Sequence, residues 1–211
     1  VTTKTALVGM TRVVALENDR VIAGAGDTIY TTEVTAKYKV WQLFRPGAAL
    51  LDPDTREVLG HEVVYLGTAR QTKGGSPSSF LVATSKLEVA RDDRLLPAPR
   101  QDVPSYVPRA PTKMIKAKVI AIYGGVNFGG PQSVVTLNRG KADGIESGHV
   151  LAADLAGQEV VNRYEGEKSV YRIPDVRNGL LYVFRVFDRI SYALVMHATH
   201  PMVVGDTVRT P

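Results

Sequence analysis

The sequence predicts an all-β protein made of two related small domains, each a β-barrel or β-sandwich, joined by a proline-rich linker. Three observations support this prediction: a pattern of turns and apolar runs occurs twice along the 211 residues, prolines concentrate between the two copies, and strand-like alternation replaces helical periodicity. Many short strands separated by turn residues are typical of sandwiches and barrels.

The repeated pattern spans residues 59–96 and 179–208. Each copy has a glycine turn, an apolar run that reaches an arginine, a second apolar run and a closing turn. Upstream, Gly26-Asp27-Thr28-Ile29 and Gly148-His149-Val150-Leu151 form a second matching pair. A repeat of about a hundred residues has the size of a small domain. We therefore predict two related β-domains, an arrangement that favours a scaffold or binding protein over an enzyme.

The linker prediction depends on five of the twelve prolines, which lie between Pro97 and Pro111. Proline fixes its own φ and biases the preceding residue toward extended geometry, so this stretch is a semi-rigid connector. We expect Tyr106 and Val107 to pack on a neighbouring domain. The predicted first β-domain, extended linker and second β-domain are residues 1–97, 98–112 and 113–211.

Within each half, short alternating runs predict strands, as in Lys118 to Tyr123 and Val134 to Asn138. We expect any helix to be short, and Pro46 to Leu51 is the stretch that could form one. Asp52 belongs to a hairpin turn, where aspartate caps backbone amides. The predicted turns are Asn18-Asp19, Asp52-Pro53-Asp54, Gly74-Gly75-Ser76-Pro77, Gly129-Gly130-Pro131 and Asp143-Gly144.

The run from Leu180 to Phe187 is apolar on both faces of a predicted strand. A sheet with one solvated face would alternate with polar residues. Two interpretations stay open: a central strand covered on both faces, or a strand with one face that meets a partner.

Composition is ordinary for a folded protein with a core, at 44% hydrophobic and 22% charged residues. The chain has no cysteine, which excludes disulfides and thiolate metal sites. The net charge of +5 is spread without any block of five or more like charges, which disfavours nucleic acid as a partner.

No motif predicts catalysis or a cofactor. A G-x-S-x-G elbow is absent, and His197 and His200 are three apart in a predicted strand, so they point to opposite faces. We interpret all four histidines as structural or surface residues. The glycines from Gly124 to Gly130 lack the Gly-Lys-Ser/Thr ending of a phosphate loop. We therefore predict that the protein is not an enzyme and uses no metal or cofactor.

Aromatic residues supply the candidate partner contacts. Tyr123 and Phe128 flank a glycine-rich hairpin loop that either displays the rings or folds back and buries them. Trp41 shares a face with Leu43, so core packing is its default role and a sugar-stacking platform is the alternative. The candidate contact residues are Trp41, Phe44, Arg45, Tyr123, Phe128, Tyr182 and Phe184.

Seven motifs together resemble a known family: Gly26–Tyr30, Trp41–Gly47, Leu51–Gly60, Tyr65–Arg70, Asp93–Pro97, Val135–Gly140 and Asp206–Pro211. The chain resembles the FlgT-like region that follows the LysM module in the TsaP-like family of type IV pilus secretin-associated proteins. The resemblance covers nearly the whole chain.

The resemblance implies a periplasmic accessory protein, peripheral to the outer membrane. Its partner would be the outer-membrane secretin through which the pilus passes, surrounded by a homo-oligomeric ring of the protein. Peptidoglycan would be bound only through the LysM module. Because that module is missing here, we assign glycan binding to no residue of this chain, and the family provides no catalytic residues.

Three other functions remain as alternatives. The FlgT-like resemblance also fits a component of a flagellar basal-body ring. A pair of nucleic-acid-binding β-barrels could use the positive charge and the Tyr and Phe rings. A carbohydrate-active enzyme is the last, although no acid–base pair in the sequence supports it.

Overall fold

A computed structural model describes residues 9–34, 38–98, 107–124, 127–155, 157, 159–164 and 167–211. Over these residues the chain forms eighteen strands and two 3₁₀ turns, the latter at Glu17–Asp19 and Lys141–Asp143. The first eight strands are β1 Thr11–Leu16, β2 Ile22–Ala23, β3 Thr28–Thr31, β4 Trp41–Leu51, β5 Val58–Lys73, β6 Ser78–Ser85, β7 Val89–Ala90 and β8 Arg94–Pro97. The other ten are β9 Lys116–Ile122, β10 Phe128–Gly129, β11 Val134–Leu137, β12 Val150–Leu155, β13 Glu159–Tyr164, β14 Glu167–Arg172, β15 Val176–Val186, β16 Ser191–Ala198, β17 Met202–Val203 and β18 Thr207–Arg209.

The chain divides into two compact units. Unit 1 comprises Val1–Ala49 and Gly60–Val103, and unit 2 comprises Leu50–Leu59 and Pro104–Pro211. The turn between β4 and β5 therefore belongs to unit 2, although the sequence prediction had placed it in the first domain. Most of the predicted linker, Tyr106 included, lies outside the described residues, and Val107 is 77% exposed instead of packed.

Unit 1 is a closed six-stranded barrel with the strand order β1-β3-β6-β5-β4-β8. Unit 2 is a second closed barrel with the order β9-β11-β16-β15-β12-β18. The two orders become identical when β1, β3, β4, β5, β6 and β8 are matched to β9, β11, β12, β15, β16 and β18. The same matching makes the two-stranded ribbon β2-β7 the counterpart of β10-β17. The all-β fold with two small barrels is confirmed, and both units share one topology.

Each barrel has its own apolar core, as expected where side chains of a small barrel alternate between interior and exterior. The core of unit 1 is formed by Val13, Leu16, Ala23, Ile29, Val34, Trp41, Leu43, Leu66, Ala69, Phe80, Val82, Val89 and Leu95. The core of unit 2 is formed by Ile115, Ala117, Val119, Ile122, Val135, Leu137, Ile145, Leu151, Ala153, Leu181, Val183, Ala193, Val195, Met202 and Val208.

A four-residue turn with the same two hydrogen bonds occurs in both barrels. In Gly24–Asp27, the Gly24 amide donates to the Asp27 carboxylate (2.8 Å) and the Asp27 amide donates to the Gly24 carbonyl (3.2 Å). Gly26 has φ 93°, a left-handed conformation that glycine adopts without steric cost. The turn is fixed to β6 because Gly26 donates to the Val82 carbonyl (2.9 Å) and Val82 donates to the Asp27 carbonyl (3.0 Å).

In the described part of the chain, the two bonds within this turn recur in five other turns: Ala90–Asp93, Gly130–Ser133, Gly140–Asp143, Glu146–His149 and Val203–Asp206. Gly26 and Gly148 therefore occupy the same position in two turns of the same type, as the sequence pattern suggested. They occupy different places in the topology, however, because Gly26 precedes β3 whereas Gly148 precedes β12, the counterpart of β4. The equivalent of Gly24–Asp27 in unit 2 is Gly130–Ser133.

The predicted helix between Pro46 and Leu51 is wrong, because these residues continue β4. Pairing of β4 with β8 ends at Phe44. Pro46 lies beyond that point, so its missing N–H does not remove a hydrogen bond to β8.

Candidate protein-binding surfaces

The β10–β17 ribbon of unit 2 presents apolar side chains to solvent. Phe128 is paired with Val203 and is 67% exposed, and Val204, next in the chain, is 52% exposed. The turns Gly130–Ser133 and Val203–Asp206 follow the two ribbon strands directly and tie them to the barrel. An apolar tip on a rigid scaffold is a common form of binding surface.

Unit 1 presents an apolar tip at the equivalent place. In the β2–β7 ribbon, Ile22 is paired with Ala90 and is 54% exposed, and Val21 is 82% exposed. Ile22 corresponds to Phe128 because each lies two residues before its turn, at Gly24 and Gly130. Val21 and Ile22 were not among the contact residues predicted from the sequence, although alignment on the turn motif would have found them.

Of the two alternatives for Tyr123 and Phe128, display and burial of the rings, their exposure agrees with display, since Tyr123 is also 47% exposed. The segment is not a simple hairpin loop, however. Phe128 belongs to β10, which pairs with β17 from the end of the chain, while residues 125 and 126 lie outside the described part.

Trp41 packs inside unit 1. Its ring is 3% exposed and meets Phe80 edge to face at 5.6 Å, and its Nε1 donates to the Tyr38 carbonyl (3.0 Å). In this conformation Trp41 presents no surface to a partner or to a sugar. Core packing, the default interpretation, describes its position.

Phe44 and Arg45 are half-buried and engaged within unit 1. Phe44 contacts Tyr65 edge to face at 5.9 Å. The Arg45 guanidinium binds both oxygens of Asp93 (2.9 Å each) and the Glu88 carbonyl (2.8 Å). The pKa of Arg45 is raised, first by the Asp93 hydrogen bonds. Arg45 thus holds the closing turn of its own barrel.

The β15 strand has one face in the core and one face partly in solvent. Leu181 and Val183 are fully buried, whereas Phe184 is 38% exposed and stacks on Tyr192 at 6.4 Å. The interpretation of a strand covered on both faces is therefore wrong for Phe184. Tyr182 is half-buried on the outer face.

The turn at Leu50–Leu59 forms a dense set of polar contacts in unit 2, and we call it the first arm. Asp52, only 5% exposed, accepts the amides of Asp54 (2.9 Å) and Thr55 (3.1 Å), which confirms its predicted capping role. Its second oxygen accepts a buried bond from Asn138 Nδ2 (2.9 Å). The pKa of Asp52 is lowered, first by the Thr55 amide.

Further ion pairs surround this contact. Glu57 forms a two-pronged pair with Arg189 (2.6 and 2.7 Å), and Asp54 pairs with Lys118. The Arg189 hydrogen bonds lower the pKa of Glu57. These contacts were not predicted from the sequence. Their only signal was an acidic turn in one half of the chain and basic residues in the other.

Titratable groups elsewhere in unit 2 are engaged as well. A cavity of about 400 Å³ lies beside Asp154, Asp175 and Arg209, where the buried Asp154 carboxylate is paired with Arg209. The pKa of His149 is lowered, first by burial, and its ring accepts the Glu146 amide in a turn. In the described part of the chain, no three His, Asp or Glu side chains form a group able to hold a metal ion.

No protein-family model matches the sequence, and no curated protein matches it. Within the described ranges, no helix has the length and apolarity needed to span a membrane.

Proposed function

We propose that the chain is a non-enzymatic periplasmic accessory protein that binds the outer-membrane secretin of the type IV pilus. In this proposal, anchoring to peptidoglycan belongs to a LysM module outside this chain. The choice of partner rests on the family resemblance of the seven motifs. The observation that carries the binding role is the exposed apolar tip that recurs at the equivalent place on both barrels.

Two equivalent tips favour binding to a repetitive partner. Ile22 of unit 1 and Phe128 of unit 2 are each more than half exposed. A secretin consists of many identical subunits, so one chain could contact two of them with the same kind of surface. Two linked weak contacts give a higher affinity than either alone.

The test is co-sedimentation of the purified chain with secretin particles and with peptidoglycan sacculi. We expect sedimentation with secretin and not with sacculi. Ile22→Ser and Phe128→Ser should each weaken secretin binding by about tenfold, because each removes an exposed apolar contact. The matched control is Val107→Ser, which removes an even more exposed apolar residue outside both ribbons and should bind normally. Sedimentation with sacculi alone would contradict the proposal.

A further inference from the structure

The unit 2 barrel shows which chemistry one place in the shared barrel topology can bind. There the first arm is held by two side chains: Asn138 Nδ2 donates to Asp52 (2.9 Å), and the Lys118 ammonium pairs with Asp54. Asp52 also accepts the Thr55 amide, so the bound element is a turn closed by its own aspartate. We call Lys118 and Asn138 the unit 2 site, which binds an acidic turn through one cation and one amide donor.

Unit 1 has an equivalent pair of residues on its own barrel. In unit 2, Lys118 N donates to Asn138 Oδ1 (2.7 Å) and Asn138 N donates to the Lys118 carbonyl (3.1 Å). In unit 1, Arg12 N donates to Thr32 Oγ1 (3.1 Å) and Thr32 N donates to the Arg12 carbonyl (2.9 Å). Arg12 and Thr32 are thus the counterparts of Lys118 and Asn138.

A second pair of bonds supports this correspondence on the neighbouring strand. Val13 N donates to the Asp93 carbonyl (2.9 Å) in unit 1, and Val119 N donates to the Asp206 carbonyl (3.0 Å) in unit 2. Each valine directly follows the basic residue of its pair. The residues directly after the two aspartates therefore occupy equivalent positions in β8 and β18.

At that position unit 1 has a second arginine, Arg94, whereas unit 2 has Thr207. Arg94 lies directly opposite Arg12 in the β1–β8 pair, where like charges destabilise the pairing of strands. Both arginines bond to Asp92, one to its carboxylate (3.3 Å) and one to its carbonyl, but the Asp92 side chain is 73% exposed. Because an exposed pair contributes little, the carboxylate of a ligand can replace that of Asp92. Two adjacent guanidinium groups are suited to hold a carboxylate.

Arg12, Thr32 and Arg94 form what we call the unit 1 site, which has both space and a hydrogen-bond donor. They border a cavity of about 460 Å³, whereas about 120 Å³ remains at the unit 2 site beside the first arm. The Thr32 hydroxyl oxygen accepts Arg12 N, and no acceptor among the described residues takes its hydrogen. In unit 2, Asn138 likewise accepts a backbone amide and donates to the first arm. The Thr32 hydroxyl can therefore donate to a bound turn.

One difference between the two sites bears on the sequence of the ligand. In unit 2, Arg139 lies 3.7 Å from the Asp52 carboxylate, whereas the corresponding residue of unit 1 is the exposed Glu33. Glu33 disfavours a carboxylate at the Asp52 position, and the two arginines favour one at the Asp54 position. The unit 1 site therefore suits a turn that begins with an uncharged residue such as asparagine and carries aspartate two residues later.

We propose that the unit 1 site binds an acidic turn of the secretin, as the unit 2 site binds the first arm. The turn presents one carboxylate to Arg12 and Arg94 and accepts a hydrogen bond from the Thr32 hydroxyl. The inference rests on the proposed function for the identity of the partner. It adds a site and a ligand chemistry to the contacts of the two apolar tips.

The ligand chemistry is tested by nuclear magnetic resonance, with a peptide added to the isotope-labelled chain. The peptide has the sequence of residues 50–59 with asparagine in place of Asp52. We expect the signals of Arg12, Thr32 and Arg94 to shift on binding. A second peptide, with asparagine also in place of Asp54, should bind at least about tenfold more weakly, because it lacks the carboxylate for the arginines. Equal binding of the two peptides would overturn the proposal.

Site variants test whether the peptide binds where we propose. R12E with R94E should lower the affinity for the first peptide by at least about tenfold, and R12Q with R94Q should lower it without adding negative charge. R70E with K73E reverses two exposed charges on β5 and should bind like the unmodified chain. Trp41 fluorescence in urea verifies that unit 1 of each variant is folded. Unchanged affinity in both site variants would overturn the proposal.

The peptide could also replace the first arm at the unit 2 site, and the same spectra distinguish this event. Shifts confined to Lys118 and Asn138, with none at the unit 1 site, would overturn the proposal. Shifts at the unit 1 site that disappear in R12E with R94E would support it.

Co-sedimentation with secretin particles separates this inference from the proposed function. R12E with R94E should weaken secretin binding by at least about tenfold, and R70E with K73E should leave it unchanged. Undiminished secretin binding by R12E with R94E would overturn the inference and leave the proposed function intact. Peptide binding at the unit 1 site without any sedimentation of the chain with secretin would support the ligand chemistry and contradict the proposed function.

Discussion

At the scale of single residues, Asp93 joins the closing turn of unit 1 to Arg45 on β4. Its buried carboxylate accepts hydrogen bonds from the Ala90 amide (2.7 Å) and from Nε and Nη2 of Arg45 (2.9 Å each). Asp93→Asn replaces one acceptor oxygen by a donor and removes the charge. We predict a loss of about 1–3 kcal/mol in the free energy of unfolding of unit 1. Urea unfolding followed by fluorescence of Trp41, the only tryptophan and part of the unit 1 core, measures it.

The neighbouring residue provides a matched control. Asp92 has φ 69° and a side chain that is 73% exposed. Asparagine tolerates this left-handed conformation, so Asp92→Asn should change stability by less than about 0.5 kcal/mol. Equal effects of the two substitutions would show that the Asp93 contacts do not stabilise the barrel.

Asp52 predicts a dependence on pH. Hydrogen bonds from the Thr55 amide, the Asn138 side chain and the Asp54 amide lower the pKa of Asp52 below its ordinary value of 3.8. A lowered pKa contributes stability that is full above 3.8 and is lost as pH falls through the folded-state value. Asn138 Oδ1 already accepts Lys118 N, so Asn138 must keep its amide hydrogens toward residue 52. Asp52→Asn should therefore destabilise unit 2 at neutral pH, and less so in acid. Calorimetry of Asp52→Asn and the unmodified chain at neutral and at acidic pH checks this prediction. The same loss of unit 2 stability at both pH values would contradict it.

At the scale of elements, two equivalent glycines let β5 and β15 curve against their neighbours. A Cβ at Gly67 would lie 2.0 Å from the Thr84 carbonyl oxygen, and one at Gly179 would lie 2.0 Å from that of His197. We predict that Gly67→Ala lowers the stability of unit 1, and Gly179→Ala that of unit 2, by about 1–3 kcal/mol each. Urea unfolding of unit 1 is followed by Trp41 fluorescence and that of the whole chain by circular dichroism.

Gly24 is the control for these substitutions. A Cβ there meets nothing within 4 Å. Alanine at position 24 keeps the hydrogen bond that the backbone amide donates to the Asp27 carboxylate. Gly24→Ala should leave the Trp41 transition within about 0.5 kcal/mol of the original. If Gly67→Ala behaves like Gly24→Ala, close strand approach is not what position 67 requires.

Much of the element structure could be predicted from the sequence. Alternating residues and turn residues predict strands and turns because both signals are local. Pro46 misled the prediction, since its position beyond β8 pairing depends on strand lengths that no local pattern reports. Phe128 was predicted as a contact from its glycine-rich segment alone, whereas the exposed tip at Ile22 can be found only by aligning the turn motif of the two units.

At the scale of the whole molecule, the main feature is that one barrel topology occurs twice in the chain. A connecting segment lies at the same place in each unit, between β4 and β5 and between β12 and β15. The contacts of the first arm join residues far apart in sequence, such as Asp52 with Asn138 and Glu57 with Arg189. Charge patterns alone cannot specify such pairs, because any acidic turn could face any basic strand. The candidate surfaces were therefore predicted in part, as aromatic residues, while the arm contacts required the fold.

Because the side chains of the first arm bond to unit 2, their substitution should lower the stability of unit 2 and not that of unit 1. In a triple variant with Asp52→Asn, Asp54→Asn and Glu57→Gln, unit 2 loses the buried Asn138 contact and the surrounding ion pairs. We predict that its transition in calorimetry weakens by about 1–3 kcal/mol, mainly from the Asp52–Asn138 contact. The transition followed by Trp41 should not move, since these side chains bond to unit 2.

A control with the same change in net charge replaces Glu17, Glu33 and Glu88, all in unit 1, by glutamine, and unit 2 should then keep its stability. Trypsin provides a second measurement, because Arg56 is exposed within the first arm. Cleavage after Arg56 requires local opening, which depends on the free energy that holds the arm. It should accelerate in the arm variant and stay slow in the control. A Trp41 transition that falls as far as that of unit 2 would mean that the arm stabilises both barrels.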